Sequence, residues 1–287
     1  MGKLKLAHSL WTVPALSDRW GVKNQLEANI WLYAISVLCA KKLGAKIELH
    51  TDAFGKELLD FLPYDKVSMT LENFDCHKRA WARGKMLTQS IIDTGVIHID
   101  GDVFLKKEDT IDIRKFAECD VIVQNVEDAG AIYTDNLKLV KDVVKTNGNL
   151  YKMMNFDRMT AYCCGVTGFN NAKLKDLYLE KYEEMYSLLM SNENALNILN
   201  SEKEVCPDLV AEQYWLQSAT EHLNAKPYIM FDTAKIRSQA NAAGFQHVIG
   251  HQKYTDEGRK NAKERLKILD TNIFNRCKEI TDRINSN

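Results

Sequence analysis

Asp100 and Asp102 flank Gly101 at the end of a short apolar run, Gly95-Val-Ile-His-Ile99. Val96, Ile97 and Ile99 are β-branched, and a run of this kind opening on a glycine reads as a strand buried inside an α/β sheet. Two carboxylates this close oppose each other's ionisation, and a Mg²⁺ or Mn²⁺ ion held between them removes that penalty. Gly101 has no Cβ, so the chain can turn there and a ligand can come close. The plain alternative is a strand-to-loop turn with solvated acids, because Asp and Gly favour turns on their own account.

The neighbouring segments must place this pair. Lys3–Val13 reads as a first strand, running into His8 and Ser9. Residues 24–43 repeat Leu26, Ile30, Tyr33, Ala34, Val37 and Leu38 at helical spacing and stop at Gly44, a C-cap residue. Residues 46–49 form a second strand that halts at His50-Thr51-Asp52, 54–62 a helix closed by Pro63, and 67–71 a third strand. A helix over 77–94 then leads to the Asp100 strand. Further strands are predicted at 119–124, 162–169 and 227–231, and helices at 135–156, 172–190 and 208–223. The polar stretch 191–204 reads as a long surface loop or an insertion, and 256–285 as one C-terminal helix packed on the body. This alternation predicts one domain over 1–287 with a Rossmann-like, mostly parallel central sheet and helices on both faces.

In such sheets ligands bind beyond the carboxyl ends of the strands. That rule collects His8, Ser9, Asp52, Asp100 and Asp102 at one edge, with His77, Lys78, Arg79, Arg83 and Lys85 at the start of the following helix. An acidic pair facing a basic helix start suits a metal ion with a phosphate; a solvated helix face is the other reading of the basic residues. Two glycines inside the strand around Cys163-Cys164-Gly165 mark either close backbone approach, of a sugar for instance, or tight packing.

Composition narrows the classes. An apolar fraction of 45% and a charged fraction of 27% are those of an ordinary globular chain. A net charge of −1 argues against a nucleic-acid binder that works by bulk electrostatics. The seven scattered cysteines show no Cys-x-x-Cys spacing, which suits reduced thiols. No run approaches the ~20 apolar residues of a membrane span. A soluble, cytoplasmic chain is the expectation.

Asp100-Gly-Asp102, followed 145 residues after Asp102 by His247-x-x-Gly250-x-x-Lys253, resembles the GT-A glycosyltransferases, and among them the retaining family 8 type. The resemblance implies that Asp100, Asp102 and His247 hold Mn²⁺ and that Gly250 and Lys253 contact the donor diphosphate. Arg83 or Lys85, 17 and 15 positions before Asp100, fits the family's basic donor contact. Gly165-Val166 with Asn170 is similar to the sugar-site strand, and Glu212-Gln213 falls where the family carries an acidic/Gln pair near the reacting centre. Cys163 stands where the family has Asn, and Tyr254-Thr255 replaces its Pro-Trp.

The chemistry is consistent with this. Breaking a nucleotide–sugar bond leaves a diphosphate, which a divalent cation stabilises as a Lewis acid. Two carboxylates and an imidazole suit Mn²⁺, or Mg²⁺ in its place. Lys253, with Lys85 or Arg83, can follow the growing phosphate charge. Tyr214 and Trp215 beside Glu212-Gln213 suit a sugar, whose C–H face stacks on aromatics. The reading is therefore a transferase moving a hexose from a UDP-linked donor to a sugar, lipid-linked glycan or protein acceptor. One alternative is a sugar-phosphate nucleotidyltransferase, disfavoured because Leu6–Pro14 lacks a glycine-rich phosphate loop. The other is a catalytically silent nucleotide-sugar binding protein.

Overall fold

A computed structural model describes residues 3–16, 24–72, 76–77, 79–201 and 205–286. The chain divides into two compact units: Met1–Lys78 with His98–Ile111 and Ala240–Asn287, and Arg79–Ile97 with Asp112–Gln239. The division falls between Ile97 and His98, inside the strand that precedes the acidic pair. It is an α/β chain, with mostly parallel strands flanked by helices, as expected.

In the first unit β1 (Lys5–Leu10), β2 (Lys46–Thr51) and β3 (Lys66–Ser68) run parallel, Lys5 opposite Lys46 and Glu48 opposite Lys66. β4 (Ile97–Ile99) lies next to β1, so the order is β3-β2-β1-β4. The helix Gln25–Lys42 covers them and is buried on nearly every side, with Ile30, Trp31, Ala34 and Val37 all inaccessible. It stops because Gly44 takes φ +68°, letting its N–H reach Lys41 O at 2.9 Å while Ala45 N–H reaches Ala40 O at 3.2 Å. A side chain at Gly44 would oppose that left-handed turn.

Past β4 the chain turns and forms β5 (Val103–Leu105). This strand leaves the main sheet and pairs antiparallel with β9 (Phe245–His247), Val103 opposite His247. In the second unit the order is β7-β6-β8: β6 (Val121–Asp128) runs antiparallel to β7 (Thr160–Phe169) and parallel to β8 (Pro227–Phe231). Val121, Val123, Tyr162 and Phe169 from these strands pack with Tyr178, Tyr182, Tyr214 and Trp215 in its core.

Several boundaries differ from the sequence reading. The helix expected over 77–94 begins at Ala82, where Asp208 Oδ2 accepts the Ala82 N–H at 2.9 Å and supplies the cap from a distant segment. His77 and Arg79 therefore precede the helix, and Lys78 lies outside the described residues. The expected loop 191–204 contains the helix Glu193–Ser201, whose Ala195 and Leu199, one turn apart, are buried against Leu139, Val143 and Leu189; residues 202–204 are outside the description. In place of one helix over 135–156 there are two, Ala131–Val144 and Gly148–Met153, separated where Asn147 caps the second through Leu150 N. The C-terminal helix is likewise two, Asp256–Leu269 and Thr271–Ser286. Asp270 turns extended and its carboxylate accepts the N–H groups of Asn272 and Ile273, which starts a new helix. Among the described residues no helix is long and apolar enough to cross a membrane.

Candidate cation site in the first unit

The acidic pair sits on a tight turn. Val103 N–H donates to Asp100 O at 2.9 Å, so Asp100-Gly-Asp-Val103 closes a four-residue turn between β4 and β5. A Cβ on Gly101 would lie 2.1 Å from the Tyr33 ring. What approaches Gly101 is thus an aromatic side chain of the protein, and Tyr33 in turn donates its hydroxyl proton to Ser9 O.

The β5–β9 pairing closes the sequence gap. With Val103 opposite His247 and Val248 N–H donating to Asp102 O at 3.0 Å, one ligand atom each from Asp100, Asp102 and His247 falls within 4.8 Å of the others. Beyond β9, Gly250 adopts φ +84°, which favours glycine, and the short turn His251–Tyr254 brings Lys253 back onto Asp102. Lys253 binds Oδ2 of Asp102, and His247 Nε2 is 3.3 Å from Oδ1. On the other side, His98 Nδ1 is 3.8 Å from Asp100 Oδ1, and its Nε2 is 2.9 Å from Ser9 Oγ.

These donors fit a divalent cation. Two carboxylates and an imidazole are an ordinary set for Mn²⁺ or Mg²⁺, and opposite ligands of an octahedral ion lie about 4.2 Å apart. Burial favours the neutral form of Asp102, which is 7% exposed, but Lys253 and then His247 outweigh it and hold the carboxyl well below the usual range. Burial also works against the charge on Lys253, and Asp102 more than restores it. Lys253 further lines a cavity of about 770 Å³ whose walls include Phe104, Val248 and Arg265.

His8 and Asp52 are placed as supports in the same unit. His8 is fully buried, with Nδ1 2.8 Å from Tyr64 Oη and Nε2 3.0 Å from Ser36 Oγ. Ser36 donates to Val103 O at 2.6 Å, so its oxygen accepts from His8 Nε2–H, and Nδ1 accepts from Tyr64. The neutral imidazole thereby ties β1 to the first residue of β5. Asp52 caps the helix Ala53–Leu59 through Gly55 N at 2.7 Å and accepts from both N and Oγ1 of Thr12 at 2.8 Å.

Burial depresses the His8 pKa to about 3, a nearby Asp102 only partly offsetting it. The sign follows by linkage. Below about pH 6.5 the unfolded chain binds a proton at this residue and the folded chain does not. Stability should therefore fall with a slope approaching ~1.4 kcal/mol per pH unit as the pH drops toward 3. In His8→Gln this contribution should vanish, which urea unfolding between pH 4 and 7 would show as a flatter profile. An unchanged slope would mean that His8 does not titrate this way.

The second unit holds the remaining predicted residues. Arg83 makes a two-point contact with Glu183, Nη2–Oε2 at 2.8 Å and Nε–Oε1 at 3.2 Å, and stacks 4.0 Å over Tyr186. Lys85, 4% exposed, is 2.7 Å from Glu212, itself fully buried, and donates to Cys164 O at 2.5 Å. Glu212 and Gln213 sit in the widened π-helical turn Leu209–Tyr214, ahead of the α-helix Trp215–His222. Gln213 Oε1 is 2.5 Å from Tyr133 Oη, which donates to Glu127 at 2.6 Å. Tyr214 and Trp215 are core residues rather than a stacking surface. Gly168 packs on Ile97, where a Cβ would lie 3.0 Å from Cγ1.

Ser36, Tyr64 and His98 are not singled out by the sequence, and Tyr33 stands there only as a helix position. Only His98 carried a local signal, as a polar residue inside a β-branched strand two positions before Asp100.

Fold and site together define an α/β protein with a carboxylate–imidazole cluster suited to a divalent cation and a half-buried lysine beside it. Residues 4–286 match the profile of DUF6734, a family of unknown function, and the chain belongs to that family. No curated protein matches it. Among solved structures it is similar to the WbbM bifunctional glycosyltransferase in its apo form, at a TM-score of 0.45 and 11% identity over 96% of this chain. It spans about half of that protein, 51% of its length. It is also similar to apo mouse xyloside xylosyltransferase 1, at a TM-score of 0.36 and 13% identity over 79% of this chain and 85% of that one.

Proposed function

We propose that this chain is a divalent-cation-dependent glycosyltransferase that takes a hexose from a nucleoside-diphosphate donor. The observation that carries the reading is the gathering of Asp100, Asp102 and His247 within 4.8 Å by the β5–β9 pairing, with Lys253 beside them. Asp100, Asp102 and His247 would hold Mn²⁺ or Mg²⁺, which when bound supplies Lewis-acid stabilisation of a leaving diphosphate. Lys253 offers an ammonium to the same phosphate oxygens, and its partial burial makes such a contact stronger than at an open surface. Gly250 shapes the turn that presents it. His98, whose Nε2 is 2.9 Å from Ser9 Oγ, stands 3.8 Å from Asp100 on the opposite side.

The reading is tested by calorimetry with UDP and UDP-hexoses, in Mn²⁺ and in EDTA, followed by detection of UDP released from the sugar nucleotide. Cation-dependent binding with slow release is expected. Equal UDP affinity in Mn²⁺ and EDTA would sink the proposal; binding without any turnover would leave a silent nucleotide-sugar binder.

A further inference from the structure

We propose that Lys253 is a built-in stand-in for the cation, occupying Asp102 until a diphosphate draws it away, so that the site takes up ion and diphosphate together and resists the ion alone. This rests on the cation site proposed above and adds the order in which it fills.

Asp102 is nearly out of water, and a carboxylate in that position is unfavourable without a positive partner. Lys253 supplies the partner at Oδ2, while His247 sits 3.3 Å from Oδ1. Both oxygens are therefore engaged within the protein. A divalent ion ligated by Asp102 would stand within a few ångströms of the ammonium if Lys253 stayed in place. Like charges at that separation repel strongly where water is scarce. An ion arriving alone must therefore displace Lys253 and leave its charge without a partner.

Lys253 has both the means and the space to move. Its four-carbon stem is flexible. It is carried on the short turn after Gly250, and it lines the cavity of about 770 Å³. A diphosphate offers the displaced ammonium new acceptors, so each ligand removes the obstacle to the other. Binding linkage then requires that UDP strengthens Mn²⁺ binding by the same factor by which Mn²⁺ strengthens UDP binding.

The test measures Mn²⁺ binding to the full chain, from the loss of the free-ion electron-paramagnetic-resonance signal, with and without UDP. Without UDP, Lys253→Met should bind Mn²⁺ roughly 10-fold or more tighter than the parent, within the range of ordinary coupling. Lys253→Arg, which keeps a cation over Asp102, should resemble the parent. With UDP present the advantage of Lys253→Met should disappear or reverse. Lys253→Gln serves the same comparison if circular dichroism shows the Met variant to be poorly folded. Equal or weaker Mn²⁺ affinity in Lys253→Met, with UDP-dependent ion binding intact in the parent, overturns the hand-over and leaves the proposed function standing. Absence of Mn²⁺ binding in every protein, with and without UDP, removes the cation site and the inference with it.

Discussion

Asp102→Asn is expected to abolish cation-dependent UDP binding and to lower the stability of the ligand-free protein. The first effect follows from removing a ligand shared by the proposed ion and Lys253. Loss of an outer contact alone costs about 10–100-fold in metal affinity, so a direct ligand should cost at least ~100-fold. The second effect follows from burial, since at 7% exposure this is not a carboxylate standing in solvent at a strand end. Asn leaves the half-buried Lys253 ammonium beside a neutral amide, and breaking a fully buried pair from one side costs about 3–5 kcal/mol, the upper bound here. For a chain of this size that is a Tm decrease on the order of 10 °C. The double variant Asp102→Asn, Lys253→Met should recover much of the stability and none of the binding. Retention of Mn²⁺-dependent UDP affinity in Asp102→Asn would refute the ligand role, whatever happens to the melting curve.

Glu212→Gln is expected to act through the fold of the second unit. Glu212 is fully buried and Lys85 is 4% exposed, so their 2.7 Å pair is a charge couple inside the core. Neutralising one member strands the other, again at about 3–5 kcal/mol. Lys85→Met alone should be similarly harmful, and the double variant much less so than the two losses added. Such non-additivity is the mark of a direct interaction. The sequence supports a different outcome, a ~10²-fold loss of donor hydrolysis with donor affinity preserved, as for a group acting on the transition state. Thermal unfolding and UDP-sugar hydrolysis on the same variant separate the two. An unchanged Tm together with slow turnover would show that the pair is dispensable for folding.

Much of the frame was legible from residue order. The β-branched run at Val96–Ile99, the buried helix stopped at Gly44 and the strand around Val121 announced themselves through periodicity and punctuation. These signals are local, and burial reinforces them rather than reversing them. The misread boundaries share a cause. Asp270 and Asn147 stop or restart helices by accepting a few backbone N–H groups, and Asp208 does so from over a hundred residues away at Ala82. The polar look of 191–204 hid Ala195 and Leu199, whose one-turn spacing matters only because Leu139, Val143 and Leu189 receive them.

For the candidate site, the sequence by itself determined the chemical types, an Asp-x-Asp, a distant His and a Lys, and the α/β frame that ends a strand on the first of them. Tertiary structure alone decided which of these meet. β5 leaves the main sheet for β9, and that one antiparallel register puts His247 beside Asp102 across 145 residues of chain. It also decided that Lys253 neutralises Asp102, that His8 serves as an uncharged tie between Tyr64 and Ser36, and that Lys85 and Glu212 neutralise each other. The physical reason is that periodicity reports which face of an element avoids water. A charge finds its partner only when two such faces are pressed together, and a buried charge must then be paired from whatever side chain the packing brings within reach.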